Sequence, residues 1–250
     1  MLSYEAIAAC LKSAFFLDSS QGHPYNSVIY LNRLEIMSFF ITFEGIEGCG
    51  KTTQMELLRQ SLEALGIEVI CTREPGGCPI ADEIRQILLH PGNSILVPTA
   101  ELLLYAAARA QHVEEVIRPA LHSGKAVLCD RFIDATVVYQ GAGRGLSMET
   151  IGTLNLLATD GLLPDLTVLL DMPAEEGLAR ARARNQNSLS GLNEDRFEQE
   201  SLVFHQTIRQ GYLDRAAAAP QRFRIVDARG DMDQVKERIS AVVQSFLQQR

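Results

Sequence analysis

The feature that most constrains this chain is GIEGCGKTT at residues 45–53, which fits the G-x-x-x-x-G-K-[ST] pattern of a phosphate-binding P-loop. Before it lies the apolar run Phe39–Phe43, which predicts a buried strand. After it, Met55, Leu58 and Leu62 recur at the spacing of an amphipathic helix. The motif requires this strand–turn–helix context, since the glycine backbone must wrap around a phosphate at the helix N-terminus. The context argues against a chance glycine-rich turn.

The motif predicts a role for particular side chains. Lys51 is expected to reach the β- and γ-phosphates of a nucleotide, and the Thr52 hydroxyl is expected to face Mg²⁺. The residues expected to bind the nucleotide are Gly45, Ile46, Glu47, Gly48, Cys49, Gly50, Lys51, Thr52 and Thr53.

Composition limits the class of protein further. The chain has 250 residues, of which 46% are hydrophobic and 22% are charged, as expected for one globular α/β domain with a full core. Its net charge of −8 argues against a nucleic-acid binder or a membrane-surface binder. No apolar run reaches membrane-spanning length.

The cysteines predict the compartment. They are five in number and show no C-x-x-C spacing, and Cys49, Cys71 and Cys129 lie in or beside predicted strands. Buried free thiols are therefore favoured over disulfides or zinc ligands, which indicates a reducing cytoplasm.

Strands and helices alternate along the chain. The predicted strands are Phe39–Phe43, Ile67–Thr72, Ala126–Cys129, Pro164–Asp171 and Phe223–Asp227. The predicted helices are Thr52–Leu65, Ile80–Leu89, Pro98–His122, Ile133–Gln140, Met148–Ala158, Ala174–Ala183, Glu194–Ala219 and a closing helix capped by Asp231. This alternation predicts parallel βαβ units, a sheet of about five strands and a site at the carboxyl ends of the strands.

Two polar segments follow predicted strands at that edge. Asp130 and Arg131 come directly after the third strand, and Arg73 follows the second. An acid at the carboxyl end of a strand beside a P-loop corresponds to a Walker-B-like position near the metal and the phosphates. Structural ion pairs are the alternative for both arginines.

Residues 1–36 precede this organisation. They contain a short apolar stretch, Ala6–Leu17, but neither a basic n-region nor a clear cleavage site, so a signal peptide fits poorly. The preferred interpretation is an upstream extension with Met37 as the natural start, and a peripheral N-terminal helix is the alternative.

The motifs together are more specific than any one of them. FEGIEGCGKTT (43–53), TREPGG (72–77), DRF (130–132), ATVVYQG (135–141) and PDLTVLLD (164–171) occur in that order, and an arginine-rich segment follows them. From Met37 to Arg250 the chain resembles the thymidylate kinases of bacteria. The resemblance implies the three-layer α/β fold of P-loop nucleoside monophosphate kinases, with a mobile lid at about 184–196. It also implies transfer of the γ-phosphoryl group of ATP to dTMP with Mg²⁺, and a homodimer.

The resemblance also implies roles for individual residues. Arg73 and Arg131 would hold the dTMP phosphate, and Glu47 would meet the substrate or the water bound to the metal. Tyr105 would stack on thymine, and Arg109 lies one helical turn further on the same side. A solvated loop charge is the alternative for Glu47, and a core aromatic is the alternative for Tyr105.

Other positions complete the expected site. Thr136 matches a substrate-binding position, and Tyr139 matches a residue packed under the deoxyribose. Because Gly48 stands where some members have a P-loop arginine, the catalytic arginine would come from the lid, and the candidates are Arg182, Arg184 and Arg196. The expected catalytic residues are Lys51, Arg131, Arg184, Arg196 and Glu47, and the expected metal ligands are Thr52 and Asp130.

The sequence leaves two other functions open. One is a kinase for another pyrimidine monophosphate such as dUMP, and the other is a P-loop nucleotide-binding protein without transfer activity. A GTPase is disfavoured, since no N-K-x-D guanine motif is present.

Overall fold

The computed structural model of the protein describes residues 38–186, 197 and 200–250. The expected extension at residues 1–36 lies outside the described residues, and so does most of the expected lid, including Arg196. None of the helices in the described ranges combines the length and the apolar character needed to cross a bilayer.

Five parallel strands form a single sheet. They are β1 (Phe40–Glu44), β2 (Val69–Arg73), β3 (Ala126–Asp130), β4 (Leu166–Asp171) and β5 (Phe223–Asp227), in the spatial order β2-β3-β1-β4-β5. Asp130 is in register with Arg73 on one neighbouring strand and with Phe43 on the other. The start of the P-loop, Asp130 and Arg73 therefore meet at the carboxyl edge, where a site is expected in such sheets.

Helices connect the strands. They are α1 (Lys51–Glu63), α2 (Pro79–Leu89), α3 (Pro98–His112), α4 (Arg118–His122), α5 (Ile133–Thr136), α6 (Met148–Thr159), α7 (Ala174–Gln186), α8 (Leu202–Ala218) and α9 (Met232–Gln248). Asp231 caps α9 in a capping box with Gln234, as expected.

The core lies on both faces of the sheet. On one face, Ile41 and Phe43 of β1 belong to a buried cluster with Leu58 of α1 and Ile239 of α9. On the other face, Phe40 of β1 belongs to a second cluster that includes Val127, Cys129, Val113, Ile117 and Phe132. Helices on both sides of a buried parallel sheet confirm the predicted three-layer α/β fold.

Three predicted helices differ from the structure. The helix expected over Pro98–His122 contains a π-helical segment, Val113–Ile117, just before Pro119, which has no N–H to donate to the preceding turn. The helix expected over Ile133–Gln140 becomes π-helical over Val137–Gly143. The helix expected from Glu194 begins at Leu202, because the Ser201 side chain caps it by accepting a hydrogen bond from Phe204 N.

Candidate active site

The P-loop runs from the end of β1 to the start of α1. Gly50 precedes the helix with φ 93°, a conformation that favours glycine. Lys51 opens the helix and is 8% exposed. Its Nζ donates hydrogen bonds to the carbonyl oxygens of Gly45 at 3.1 Å and Ile46 at 2.9 Å. The cation thus lies inside the loop that the motif assigns to phosphate.

The tip of the loop packs against α7. A Cβ atom at Gly48 would clash with the carbonyl oxygen of Gly177, and a Cβ atom at Gly177 would lie 2.6 Å from the carbonyl oxygen of Glu47. No side chain fits at position 48, which explains why an arginine cannot stand there. The contact holds α7, which carries Arg180 and Arg184, against the loop.

Thr52 and Asp130 form the oxygen pair expected of a metal site. The Thr52 hydroxyl donates to Asp130 Oδ2 at 2.7 Å. Among the described residues no group of three or more His, Cys, Asp or Glu side chains could enclose a metal ion. One hydroxyl and one carboxylate suit Mg²⁺, which usually takes its other ligands from substrate phosphates and water.

One cavity of about 800 Å³ joins the P-loop to the residues that are expected to bind dTMP. Lys51 and Thr52 line one part of it, and Arg73, Tyr105 and Arg109 line another. The other predicted residues that line it are Glu47, Gly48, Gly50, Thr53, Asp130, Arg131, Thr136, Tyr139 and Arg184. The fold therefore brings these predicted residues to one space, whereas Arg182 on α7 does not line it.

Arg131 lines the cavity and has an uncommon backbone conformation, with φ 70°. Its Nη2 donates to Glu47 Oε1 at 3.1 Å, and its Nη1 donates to the Gly45 carbonyl oxygen and the Tyr212 hydroxyl, each at 3.0 Å. The guanidinium also lies over the Tyr139 ring, 4.9 Å from its centroid. These contacts orient the guanidinium next to the P-loop.

Glu47 accepts hydrogen bonds at both carboxylate oxygens. Oε1 accepts from Arg131 and from the Tyr139 hydroxyl, and Oε2 contacts His205 Nδ1 at 3.2 Å. Burial opposes ionisation, but the hydrogen bond from His205, the charges of Arg131 and Lys51 and the Tyr139 hydroxyl hold the pKa of Glu47 well below its usual range. Glu47 is therefore an anion whose carboxylate is held by three side chains, and it is not a solvated loop charge.

Glu44 is a second acid under the loop, fully buried at the end of β1. Its oxygens accept from the Phe132 amide at 2.8 Å and from the Tyr212 hydroxyl at 2.7 Å. Burial and the charge of Asp134 raise the pKa of Glu44 to about 7, although Arg131 and both hydrogen bonds favour the anion.

Arg109 is 2% exposed and donates four hydrogen bonds within the protein. Its Nε pairs with Glu74 Oε2 at 2.7 Å, and its Nη2 donates to Thr136 Oγ1 at 3.0 Å. The other two acceptors are Asn155 Oδ1 and the Phe132 carbonyl oxygen. A guanidinium has five N–H donors, so these four hydrogen bonds engage all but one of them.

Behind Glu74 lies His112, which is also fully buried. Its Nδ1 contacts Glu74 Oε1 at 3.0 Å, and its Nε2 contacts Thr72 Oγ1 at 2.6 Å. Burial raises the pKa of Glu74, but the charge of Arg109 and the contact with His112 lower it below its usual value overall. An ionised Glu74 thus balances the buried Arg109.

Arg73 is more exposed than Arg109 and Arg131. Its side chain is 55% exposed, and its Nη2 lies 3.2 Å from Asp82 Oδ1. Its guanidinium is therefore accessible to a ligand at the mouth of the cavity.

Comparison with known proteins identifies the family. The family model of thymidylate kinase matches residues 43–239. The thymidylate kinase of Citrifermentans bemidjiense is 60% identical over 85% of this chain and 94% of its own length. That of Geobacter sp. strain M21 is 64% identical over 79% of this chain and 88% of its own length. The crystal structure of thymidylate kinase from Ehrlichia chaffeensis matches with a TM-score of 0.66 and 32% identity, covering 82% of this chain and 98% of that chain.

The chain belongs to the thymidylate kinase family.

As a thymidylate kinase, the protein is an ATP-dependent enzyme that phosphorylates dTMP to dTDP. The expected fold and activity are thereby confirmed. Neither a dUMP kinase nor a P-loop protein without transfer activity is supported.

Five residues of this thymidylate kinase site were missed or left without a role by sequence reasoning: Glu44, Glu74, His112, His205 and Tyr212. Glu44 and Glu74 stood inside the quoted motifs, but their orientation was not predictable. His112 and His205 are single histidines in helical patterns with apolar neighbours, where a core histidine is the ordinary expectation. One sequence signal could have identified these two histidines, namely a charged or polar residue at an apolar position of a helix that ends near the site.

Proposed function

We propose that the 800 Å³ cavity is the place where ATP and dTMP meet, with the P-loop on the donor side. The observation that carries this proposal is that Lys51 and Thr52 share the cavity with Arg73, Arg109 and Arg131. Transfer of a phosphoryl group needs alignment and charge neutralisation more than covalent help from the protein. A P-loop cation on one side and arginines on the other supply both.

On the donor side, Lys51 binds the phosphates of ATP, together with the amides of residues 45–53. Thr52 and Asp130 would hold Mg²⁺, an inference supported by their 2.7 Å hydrogen bond at the carboxyl edge of the sheet. When bound, the ion neutralises charge on the β- and γ-phosphates. The chain itself keeps the two oxygens oriented toward the nucleotide.

On the acceptor side, Arg73 and Arg131 bind the phosphate of dTMP and keep its attacking oxygen in line with ATP. Glu47 fixes Arg131 from the opposite side and faces the substrate. The geometry that supports this assignment is the ion pair between Arg131 and Glu47 at 3.1 Å.

The base would lie deeper, between Tyr105 and the Arg109–Thr136 pair. The remaining N–H donor of Arg109 suits the O4 carbonyl of thymine, because arginine carries donors and no acceptor. Tyr139 would pack under the deoxyribose, and its ring lies among aromatic neighbours that include Phe197 at 5.5 Å between ring centroids.

The lid would supply the remaining cation. Arg184 at the end of α7 lines the cavity, and Arg196 belongs to the expected lid, so each can approach the phosphates when the lid closes. Closure excludes water and adds positive charge once both substrates are bound.

We also propose a homodimer that acts in the cytoplasm. Exposed apolar side chains lie on three helices that pack in series, namely Ile80 and Ile87 of α2, Leu103 of α3 and Leu157 of α6. Covering them with a second copy would remove this apolar surface from water. Cys49, Cys78 and Cys129 are buried free thiols, which suits a reducing compartment.

A coupled assay with ATP and dTMP tests the proposed site, with Mg²⁺ titrated from zero. We expect ADP and dTDP in equal amounts only when all three are present. Light scattering on the wild type and on Leu157→Arg tests the dimer, and the variant should lose half of the mass of the assembly. If the wild type and Leu157→Arg have the same mass in solution, the proposed interface is contradicted.

A further inference from the structure

His205 is a buried histidine that lies outside the cavity but contacts one of its acidic residues. It lies in the first turns of α8 and is 0% exposed. Its Nδ1 lies 3.2 Å from Glu47 Oε2, and no other hydrogen bond reaches that oxygen from the described residues. The other oxygen of Glu47 accepts from Arg131 and Tyr139. His205 therefore holds the half of the carboxylate that the other two residues leave.

The chemistry of the contact determines which atom carries the proton. An ionised carboxylate can only accept hydrogen bonds, so Nδ1 of His205 must be the donor. With Nδ1–H directed at Oε2, the Glu47 carboxylate cannot rotate about its last bond without losing that hydrogen bond. Its Oε1 is then fixed toward Arg131.

We propose that His205 is a positioning residue of the phosphoryl-transfer site, which acts through Glu47 to orient the guanidinium of Arg131. This inference rests on the proposed function, because it assigns Arg131 and Glu47 to the acceptor side of the cavity. His205 itself does not line the cavity, so it touches neither substrate.

A purely structural role explains the geometry less well. His205 Nε2 is buried and has no hydrogen-bond partner in the described part of the chain. A buried unpaired polar atom is unfavourable, so an apolar side chain would suit the packing better if packing were the only requirement. His112 offers the contrast, because its two ring nitrogens contact Glu74 and Thr72. The unpaired nitrogen at His205 is tolerated where the other nitrogen serves Glu47.

A double-mutant cycle on the full chain tests the proposal. Wild type, His205→Leu, Glu47→Gln and the double variant are compared by kcat/KM for dTMP and by melting temperature. We expect His205→Leu to lower kcat/KM at least about tenfold, since small displacements of positioned groups cost up to about 100-fold. In the Glu47→Gln background the same change should alter kcat/KM less than about twofold.

His112→Leu is the matched control for the cycle. It removes a histidine of equal burial that also contacts a glutamate through Nδ1, but it does not touch Glu47. Its effect on kcat/KM should be independent of Glu47→Gln, so the fold losses of the two single variants should multiply in the double variant. If the losses of kcat/KM caused by His205→Leu and Glu47→Gln also multiply in their double variant, the proposal is overturned.

Two amide variants keep the test decisive if leucine disturbs folding. The side-chain amide of Asn reaches the position of Nδ1, whereas that of Gln reaches toward Nε2. We expect His205→Asn to retain kcat/KM within about threefold and His205→Gln to lose about tenfold, at similar melting temperatures. Equal activity of the two variants overturns the inference. A wild type without dTMP kinase activity would instead contradict the proposed function.

Discussion

Arg109 Nε donates to Glu74 Oε2 at 2.7 Å, and neither side chain is more than 4% exposed. An unpaired charge at such a depth is strongly unfavourable, so each group requires the other. Because His112 holds the second oxygen of Glu74, the guanidinium keeps one orientation. A rigid buried cation with one donor left is suited to recognise one ligand atom.

Lys51→Ala is expected to lower kcat on the order of a thousandfold, because the P-loop loses its charge on the transferred phosphoryl group. The measurement is steady-state kcat with ATP and dTMP, with circular dichroism to check folding. Lys125→Ala is the control, since Lys125 pairs with Glu68 outside the 800 Å³ cavity. Near-normal turnover of folded Lys51→Ala would contradict the P-loop assignment.

Arg184→Ala is expected to lower kcat about tenfold or more while the KM for dTMP changes little, because in the proposed site this side chain adds charge when the lid closes. Arg182 is the matched control, because it lies two residues away on α7 and is also exposed, but it does not line the cavity. Arg196→Ala belongs in the same series. Wild-type kcat in both Arg184→Ala and Arg196→Ala would mean that the catalytic cation comes from another residue.

Glu44 should make stability depend on pH. Its pKa is about 7 in the folded protein against an ordinary value of 4.5. Between these values the folded state keeps a proton that the unfolded chain has released, so this contribution to stability is present at low pH and lost as pH rises. Glu44→Gln removes the titration.

The measurement is the melting temperature of wild type and Glu44→Gln from about pH 5 to about pH 8. Other ionisable groups contribute to both proteins, so the difference between the curves reports Glu44. We expect the wild type to lose melting temperature relative to the variant as pH rises. Parallel curves would mean that Glu44 is ionised throughout.

The sequence predicted the elements that depend on local pattern. Arg73 and Asp130 were expected at one edge because each ends an apolar run, and parallel strands align their carboxyl ends. The partners of Arg109 were not predictable, since Glu74 is 35 residues away and no periodicity determines which way a side chain points. The π-helical segment before Pro119 was missed because helical spacing does not reveal one wider turn.

Base selection tests the role of Arg109 most directly. Its remaining N–H donor matches O4 of thymine, whereas cytosine places an amino donor there, so donor would face donor. Such a mismatch in a polar site can cost on the order of 10⁴-fold. dUMP keeps O4 and lacks only the methyl group, which costs about 10–200-fold. We expect kcat/KM to fall from dTMP to dUMP to dCMP.

Arg109→Ala should narrow the gap between dTMP and dCMP and leave the ratio of dTMP to dUMP nearly unchanged. Because alanine leaves Glu74 unpaired, Arg109→Lys is the companion variant, which keeps the charge and loses the fork of donors. Ratios of kcat/KM within one protein cancel any loss of folded enzyme. Arg73→Ala is the control. The phosphate is common to all three substrates, so the loss of the Arg73 side chain should lower their three kcat/KM values by the same factor. If both Arg109 variants keep the wild-type dCMP gap while Arg73→Ala behaves as expected, the base is read by another residue.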